Sequence, residues 1–371
     1  MSKLTKIGYE LCDVSVVQAP ISYLNHRSEP NPYIEICNRD VYPIFVAPMS
    51  SVTDQHNYKV WIENGLTPVV PRSVQKSDSN PNGITFEERM KIAEETFVSV
   101  SLSEANDILS FNKPNYHKLY ICIDIAHGTL SDLYDVCDKI YDKFGDEIEI
   151  MTGNVATPLA YREYADHHIS WMRVSIGSGS RCTTSCNVAV HYPSATLIDE
   201  LSEERKIYAK SHNGYAPTKI VLDGGISNFD DIQKAICLGC DAVMAGNIFA
   251  RAEEACGETK WARSLEDAMN GNCVPCTIVS VYPDNTLRLY REYYGMSTRR
   301  AQIETGGNGN RTSEGISRPV PVEYPISKWV DNMQSFLRSC MTYTNCRNLS
   351  EMREKSKMII LGGSGDRSYR K

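Results

Sequence analysis

KIVLDGGISNFDDIQKAICLGCDAVMAG, residues 219–246, sets two short apolar runs, KIVLDG and DAVMAG, on either side of a longer helical stretch. Each run ends in glycine. Strand, helix and strand in that order make a βαβ unit whose two strands lie parallel. The alternation extends back through YPIFVAPM at 42–49, TPVVP at 67–71, TFVSVSL at 96–102, YICIDIA at 120–126, IEIMTG at 148–153 and WMRVSIG at 171–177. Eight such strands joined by helical crossovers predict an α/β fold of the (β/α)8 TIM barrel type. A chain of 371 residues holds it as a single domain with insertions.

After residue 250 the pattern changes. CVPCTIVSVYPDNTLRLYREYYGM, residues 273–296, is rich in strand formers and leads into TGGNGNRTSEGISRP, a polar, glycine-rich stretch. Residues from about 295 to 318 read as a lid loop. Helices are predicted near 325–340 and 347–357, and a flexible tail over about 358–371.

Composition excludes several function classes. A formal charge of −7 and a pI near 5.7, with no dense Lys/Arg run, argue against a nucleic-acid partner. Thirteen cysteines without regular spacing describe free thiols in a reducing compartment, not a disulfide framework. Cys273 and Cys276 have no second pair to make a zinc site. No signal segment and no apolar run long enough for a membrane span occur, so a cytoplasmic location and no membrane partner are expected.

In a parallel barrel the loops at the C-terminal ends of the strands carry the chemistry. Three of them, at Gly177–Ser180, Gly224–Ser227 and Gly246–Asn247, lack bulky side chains and can offer converging backbone N–H groups to a phosphate. The plain alternative is that these glycines only shape turns. Asp223 could accept hydrogen bonds from two sugar hydroxyls, or cap the next helix. Cys182, in GSGSRCTTS at 177–185, is either a nucleophile displayed beyond the first glycine turn or an inert small side chain.

GSGSRCTTS, VLDGGISNFDDIQKAICLGCDAVMAGNIFA at 221–250, YYGMS at 293–297, RTSEG at 311–315 and FLRSCMTYTNC at 336–346 together resemble the IMP dehydrogenase/GMP reductase family. APMSSVTD at 47–54, DIAHG at 124–128 and TGNVAT at 152–157 support the likeness. The resemblance implies a barrel enzyme, usually a homotetramer, that acts on a purine nucleotide 5′-monophosphate through a covalent cysteine adduct. It implies Cys182 as nucleophile, with Thr184 and Glu314 relaying protons. Met49, Ser180, Asp223, Gly224, Gly225, Gly246, Asn247, Tyr294, Gly295, Met296, Ser297, Arg311 and Gly315 would surround the nucleotide. Asp124, Ile125 and Ala126 would line the nicotinamide site, with Arg27, Ser339, Cys340, Met341 and Thr342 on the rest of the dinucleotide, partly across a subunit boundary. Gly177, Gly179, Cys182 and Ser185 would hold potassium or another monovalent cation through their backbone.

Two reactions share this machinery. The dehydrogenase oxidises IMP with NAD and hydrolyses its adduct with a long flap bearing an Arg-Tyr pair. The reductase deaminates GMP with NADPH and needs no such flap. MSTRRAQIETGGNGNRTS, the 18 residues between Gly295 and Glu314, contains no Arg-Tyr dipeptide, and positions 77–119 are too few for a CBS regulatory module. The expectation is therefore GMP reductase. Ser50, Asn247, Arg299 and Arg300 depart from the family pattern. They leave IMP dehydrogenase, another purine nucleotide substrate, or an inactive nucleotide-binding barrel as alternatives.

Overall fold

In the computed structural model the described residues are 6–72, 84–110, 118–179, 183–274, 286–304, 310, 312 and 315–362. Eight parallel strands close into a barrel in chain order: β1 (Ile44–Val46), β2 (Thr67–Val70), β3 (Phe97–Val100), β4 (Leu119–Asp124), β5 (Ile148–Val155), β6 (Trp171–Val174), β7 (Lys219–Asp223) and β8 (Ala242–Ala245). Closure is the pairing of β8 with β1, Val243 opposite Ile44. Every one of the eight apolar runs forms one of these strands, and the expected (β/α)8 barrel is the observed fold.

Side chains alternate along each strand, so one set points into the barrel and the other toward the helices. Phe45, Phe97, Tyr120, Met151 and Trp171 fill the interior; the Phe45 ring meets Phe97 at 5.7 Å and Trp171 at 5.1 Å. A hairpin of Ile34–Ile36 and Arg39–Val41 plugs the N-terminal end with Ile36 and Val41. Val46, Val98, Ile121, Ile150, Val174 and Leu222 face outward into the core beneath the helices. Aromatic filling below leaves the C-terminal mouth to polar inward positions: Asp124, Arg173 and Asp223.

Local sequence sets the helix starts. Ser101 and Glu104, and Thr85 and Glu88, form reciprocal caps at the helices Leu102–Ile108 and Phe86–Ile92. Arg89 joins these two helices through Glu104 at 2.9 Å. The predicted late helices are Ile326–Tyr343 and Leu349–Lys355.

Two expectations need correction. The tail does not begin free at 358: Lys357–Ile360 is a strand paired antiparallel with Val14–Val17, because its apolar residues find a partner strand from the other end of the chain. The lid span 295–318 is also more ordered than a loop at both ends. It opens with a turn and the helix Arg299–Glu304, and closes in the strand Ser317–Pro321. That strand joins Arg288–Tyr294 and Thr259–Ala262 in a three-stranded antiparallel sheet.

Candidate active site

Arg173 organises the mouth. Its Nη1 donates to Asp124 Oδ1 at 2.7 Å, and its Nη2 and Nε donate to Asp223 Oδ2 at 2.7 and 3.1 Å. Asn154 Nδ2 adds a third donor to the same Asp223 oxygen at 2.8 Å. Three strands thus deliver one cation and two carboxylates to one buried point, an arrangement that holds only when charges pair and bond fully. Burial pushes the Asp124 carboxyl up, but Arg173 and Arg72 outweigh it and hold it below the ordinary carboxylate range. Arg72, at the end of β2, stands 4.0 Å from Asp124.

The loop after β4 is clipped to β5: Asn154 donates its N–H to the Ile125 carbonyl at 3.1 Å, and Gly128 donates to that of Asn154 at 2.9 Å. Ile125 and Ala126 therefore sit beside the Asp124–Arg173 pair. Sequence reasoning missed Arg173 and Asn154. Arg173 lies in WMRV, where a charged residue inside an apolar strand run was the available signal.

The glycine turns converge. A Cβ placed on Gly224 would come 2.9 Å from Ser178 Oγ and 3.0 Å from the Gly179 nitrogen, and its φ of +94° suits glycine. Ser178 Oγ donates to the Asp223 carbonyl at 3.3 Å and accepts from Ser175 at 2.7 Å, tying the turn after β6 to the end of β7. A Cβ on Gly246 would meet Met49 Sδ and Tyr293 Oη, each at 2.7 Å. The end of β8 thus sits against the β1 loop and the antiparallel sheet. Asn247 opens the short helix Asn247–Ala250.

Tyr293 donates to Met49 Sδ at 3.4 Å, and Ser50 donates to Tyr294 Oη at the same distance. Beyond Tyr294, Thr298 bonds the Gly295 carbonyl through its hydroxyl at 2.7 Å, fixing the turn that holds Met296 and Ser297. Thr184 begins the helix Thr184–Val188, and Ser185 Oγ donates to the Gly177 carbonyl at 3.3 Å. Gly225 follows Gly224 at the turn, and Gly315 lies just before the strand Ser317–Pro321. Ser180, Cys182, Arg311 and Glu314 lie outside the described residues. Among the described residues no group of three His, Cys, Asp or Glu side chains could hold a metal ion. No helix among them is long and apolar enough to cross a membrane.

The expected dinucleotide residues divide. Asp124, Ile125 and Ala126 are at the mouth, whereas Ser339, Cys340, Met341 and Thr342 lie near the end of the outer helix Ile326–Tyr343. Ser339 and Thr342 hydroxyls bond their own helix's carbonyls, Met341 is buried, and Cys340 contacts Cys237. The helix starts beside the C-terminal end of β8, where Tyr324 donates to the Ile248 carbonyl at 2.8 Å, and its 339–342 end lies away from that side. Exposed Arg27 belongs to the segment that reaches the same region, where Asn31 donates to the Arg347 carbonyl. One chain does not bring these residues to its own mouth.

A family model described as the IMP dehydrogenase / GMP reductase domain matches residues 116–273 and 275–368. An inosine-5'-monophosphate dehydrogenase of Methanocaldococcus jannaschii is 31% identical over 264 residues, 66% of this chain and 47% of that protein. A GMP reductase of Onchocerca volvulus is 30% identical over 254 residues, covering 67% and 60%. A GMP reductase of Photobacterium profundum is 29% identical over 269 residues, covering 71% and 67%. The chain spans about half the length of the curated dehydrogenases it matches. With the barrel and its converging glycine turns, these matches establish that the chain belongs to the IMP dehydrogenase/GMP reductase family.

Proposed function

We propose that this barrel is a GMP reductase, converting GMP to IMP and ammonia with NADPH. The observation that carries this reading is the short span after Tyr294. Arg300, on the helix Arg299–Glu304, pairs with Glu258 and Glu292 at 3.4 and 3.2 Å and lies over the Tyr294 ring at 4.7 Å. That anchored helix leaves only positions 305–314 before Gly315, too little chain for a hydrolytic flap.

The residues at the mouth fit a purine nucleotide and a dinucleotide. The turns at Gly177–Gly179, Gly224–Gly225 and Gly246 surround the phosphate; a Cβ at Gly177, Gly224 or Gly246 would collide with Ser185, Ser178 or Met49, so these turns can pack closely only as bare backbone. Asp223 Oδ2 is occupied by three donors, which leaves Oδ1 for the ribose hydroxyls. Met296, Ser297 and Gly315 read the base edge, with Asp124, Ile125 and Ala126 under the nicotinamide. Arg27 and Ser339–Thr342 serve the site of a neighbouring copy in a tetramer. The carbonyls of Gly177, Gly179 and Cys182, with Ser185 beside them, would hold a monovalent cation, whose charge would order the turn.

Cys182 thiolate adds to C2 of the guanine ring. Thr184 and Glu314 protonate the exocyclic amine, which leaves as ammonia and gives a thioimidate. The bound dinucleotide supplies a hydride. C2 accepts it, the C–S bond breaks, and the thiolate returns with IMP formed. Holding thiol, acid and substrate in one geometry accounts for much of the acceleration.

The deciding experiment follows 340 nm absorbance with GMP and NADPH beside IMP and NAD, with ammonia measured in parallel. NADPH loss matched by ammonia supports the reductase. NADH formed from IMP instead would make the chain a dehydrogenase.

A further inference from the structure

Ile176 lies two residues past the end of β6, and His191 lies three residues before the helix Ser194–Ser211. One side chain ties these two points together and joins both to the amino-terminal segment. His191 Nδ1 lies 3.0 Å from the Ile176 carbonyl oxygen, and its Nε2 lies 2.7 Å from Glu10 Oε1. The other Glu10 oxygen accepts from the Ser194 N–H at 3.0 Å and its hydroxyl at 2.6 Å. Ile176 immediately precedes the turn Gly177–Gly179 that packs on Gly224.

Both partners of the ring are pure acceptors. A neutral imidazole has one N–H, so it satisfies one of them and points a lone pair at the other. Only the imidazolium donates to both. Burial of the ring works against the charge, but the Ile176 carbonyl and the Glu10 carboxylate outweigh it and raise the His191 pKa above 6.5. Glu10 is the charged group that faces the ring. Asp13, on the same turn, is occupied by the Glu10 N–H at 2.8 Å, and Glu200, on the following helix, by Tyr192 at 2.6 Å and by Lys6.

We propose that His191, as the imidazolium, is a positioning residue that latches the Gly177–Gly179 turn in place through Ile176. Its consequence for turnover rests on the nucleotide-binding reading given above. A group whose pKa is raised on folding contributes fully below its ordinary value, and that contribution is lost as pH rises through the raised one. The latch is therefore closed near pH 6 and released on the alkaline side.

The test is hydrogen–deuterium exchange of the 176–179 amides in the ligand-free protein from pH 6 to 9, corrected for intrinsic rates, with turnover measured over the same range. Protection in the wild type falls roughly fivefold across the range, in keeping with a half-exposed charged bond. Glu10→Gln moves that fall to lower pH, since a neutral amide no longer favours the imidazolium. His191→Arg donates to both acceptors without titrating and keeps protection flat. The alkaline limb of turnover shifts with the same variants. Wild-type exchange profiles in both variants would overturn the latch, and shifted exchange with unmoved turnover would overturn its consequence for turnover. A wild type that turns over neither GMP nor IMP sinks the enzymatic reading, while the exchange measurements still decide whether His191 holds the turn.

Discussion

Arg173 reaches Asp223 with two nitrogens on one oxygen, Nη2 at 2.7 Å and Nε at 3.1 Å from Oδ2, while its remaining Nη1 holds Asp124. A single guanidinium thus links the carboxylate proposed to hold the ribose with the one proposed to lie under the nicotinamide. The two proposed half-sites share one electrostatic support.

Removing that support leaves two buried carboxylates facing each other. Arg173→Met should cost about 3–5 kcal/mol of stability at neutral pH. The pH dependence separates this from a packing defect. In the wild type Asp124 is depressed, so its contribution is present above the ordinary carboxylate pKa and lost as pH falls through the lower folded value. Without Arg173 burial dominates at Asp124, its carboxyl rises, and the variant should gain stability between pH 7 and 5. Urea unfolding at those two pH values checks the sign.

Asp223→Asn keeps the shape of the ribose position but removes its charge. GMP affinity should fall roughly 10- to 100-fold, the scale of a lost hydrogen bond to a charged group. The preference for GMP over dGMP should shrink with it. Calorimetric titration with both nucleotides measures the two effects, and an unchanged preference would place the sugar elsewhere.

Gly224→Ala forces a Cβ toward Ser178 Oγ and the Gly179 nitrogen at a φ of +94°. The backbone penalty alone is about 1–2 kcal/mol. The prediction is a folded protein with GMP binding weakened more than tenfold. Gly271→Ala has open space around its Cβ and a φ of +76°, so it controls for backbone strain without crowding. Equal loss of binding in both would mean that strain, not the cradle, is responsible.

Cys182→Ser should abolish turnover yet leave GMP binding within a few-fold of wild type. Glu314→Gln should slow ammonia release by on the order of 10²–10⁴, as loss of an acid–base group does. Rapid-quench assays that separate ammonia formation from NADPH oxidation distinguish the two. Should Glu314→Gln slow both steps equally, the glutamate orients the base without moving a proton.

Much of the architecture is local information. Val, Ile and Phe alternating in runs such as YPIFVAPM and YICIDIA specify strands, the stretches between them specify helices, and terminal glycines mark the loops that became the mouth. The glycine turns and Asp223 were legible for the same reason: their residue types answer to a backbone requirement at one position. Family resemblance then supplied roles for Cys182, Thr184 and Glu314, which no periodicity states.

Tertiary structure alone decided which distant residues meet. Arg173 stands 50 positions from Asp223 and 49 from Asp124, and only the closing of the barrel aims all three at its axis. His191 finds Glu10 across 181 positions, and Lys357–Ile360 finds Val14–Val17 from opposite ends of the chain. Hydrophobic periodicity encodes which face of an element is buried. It carries no record of which charge lies opposite, because that depends on strand order and register, which exist only once the sheet has closed.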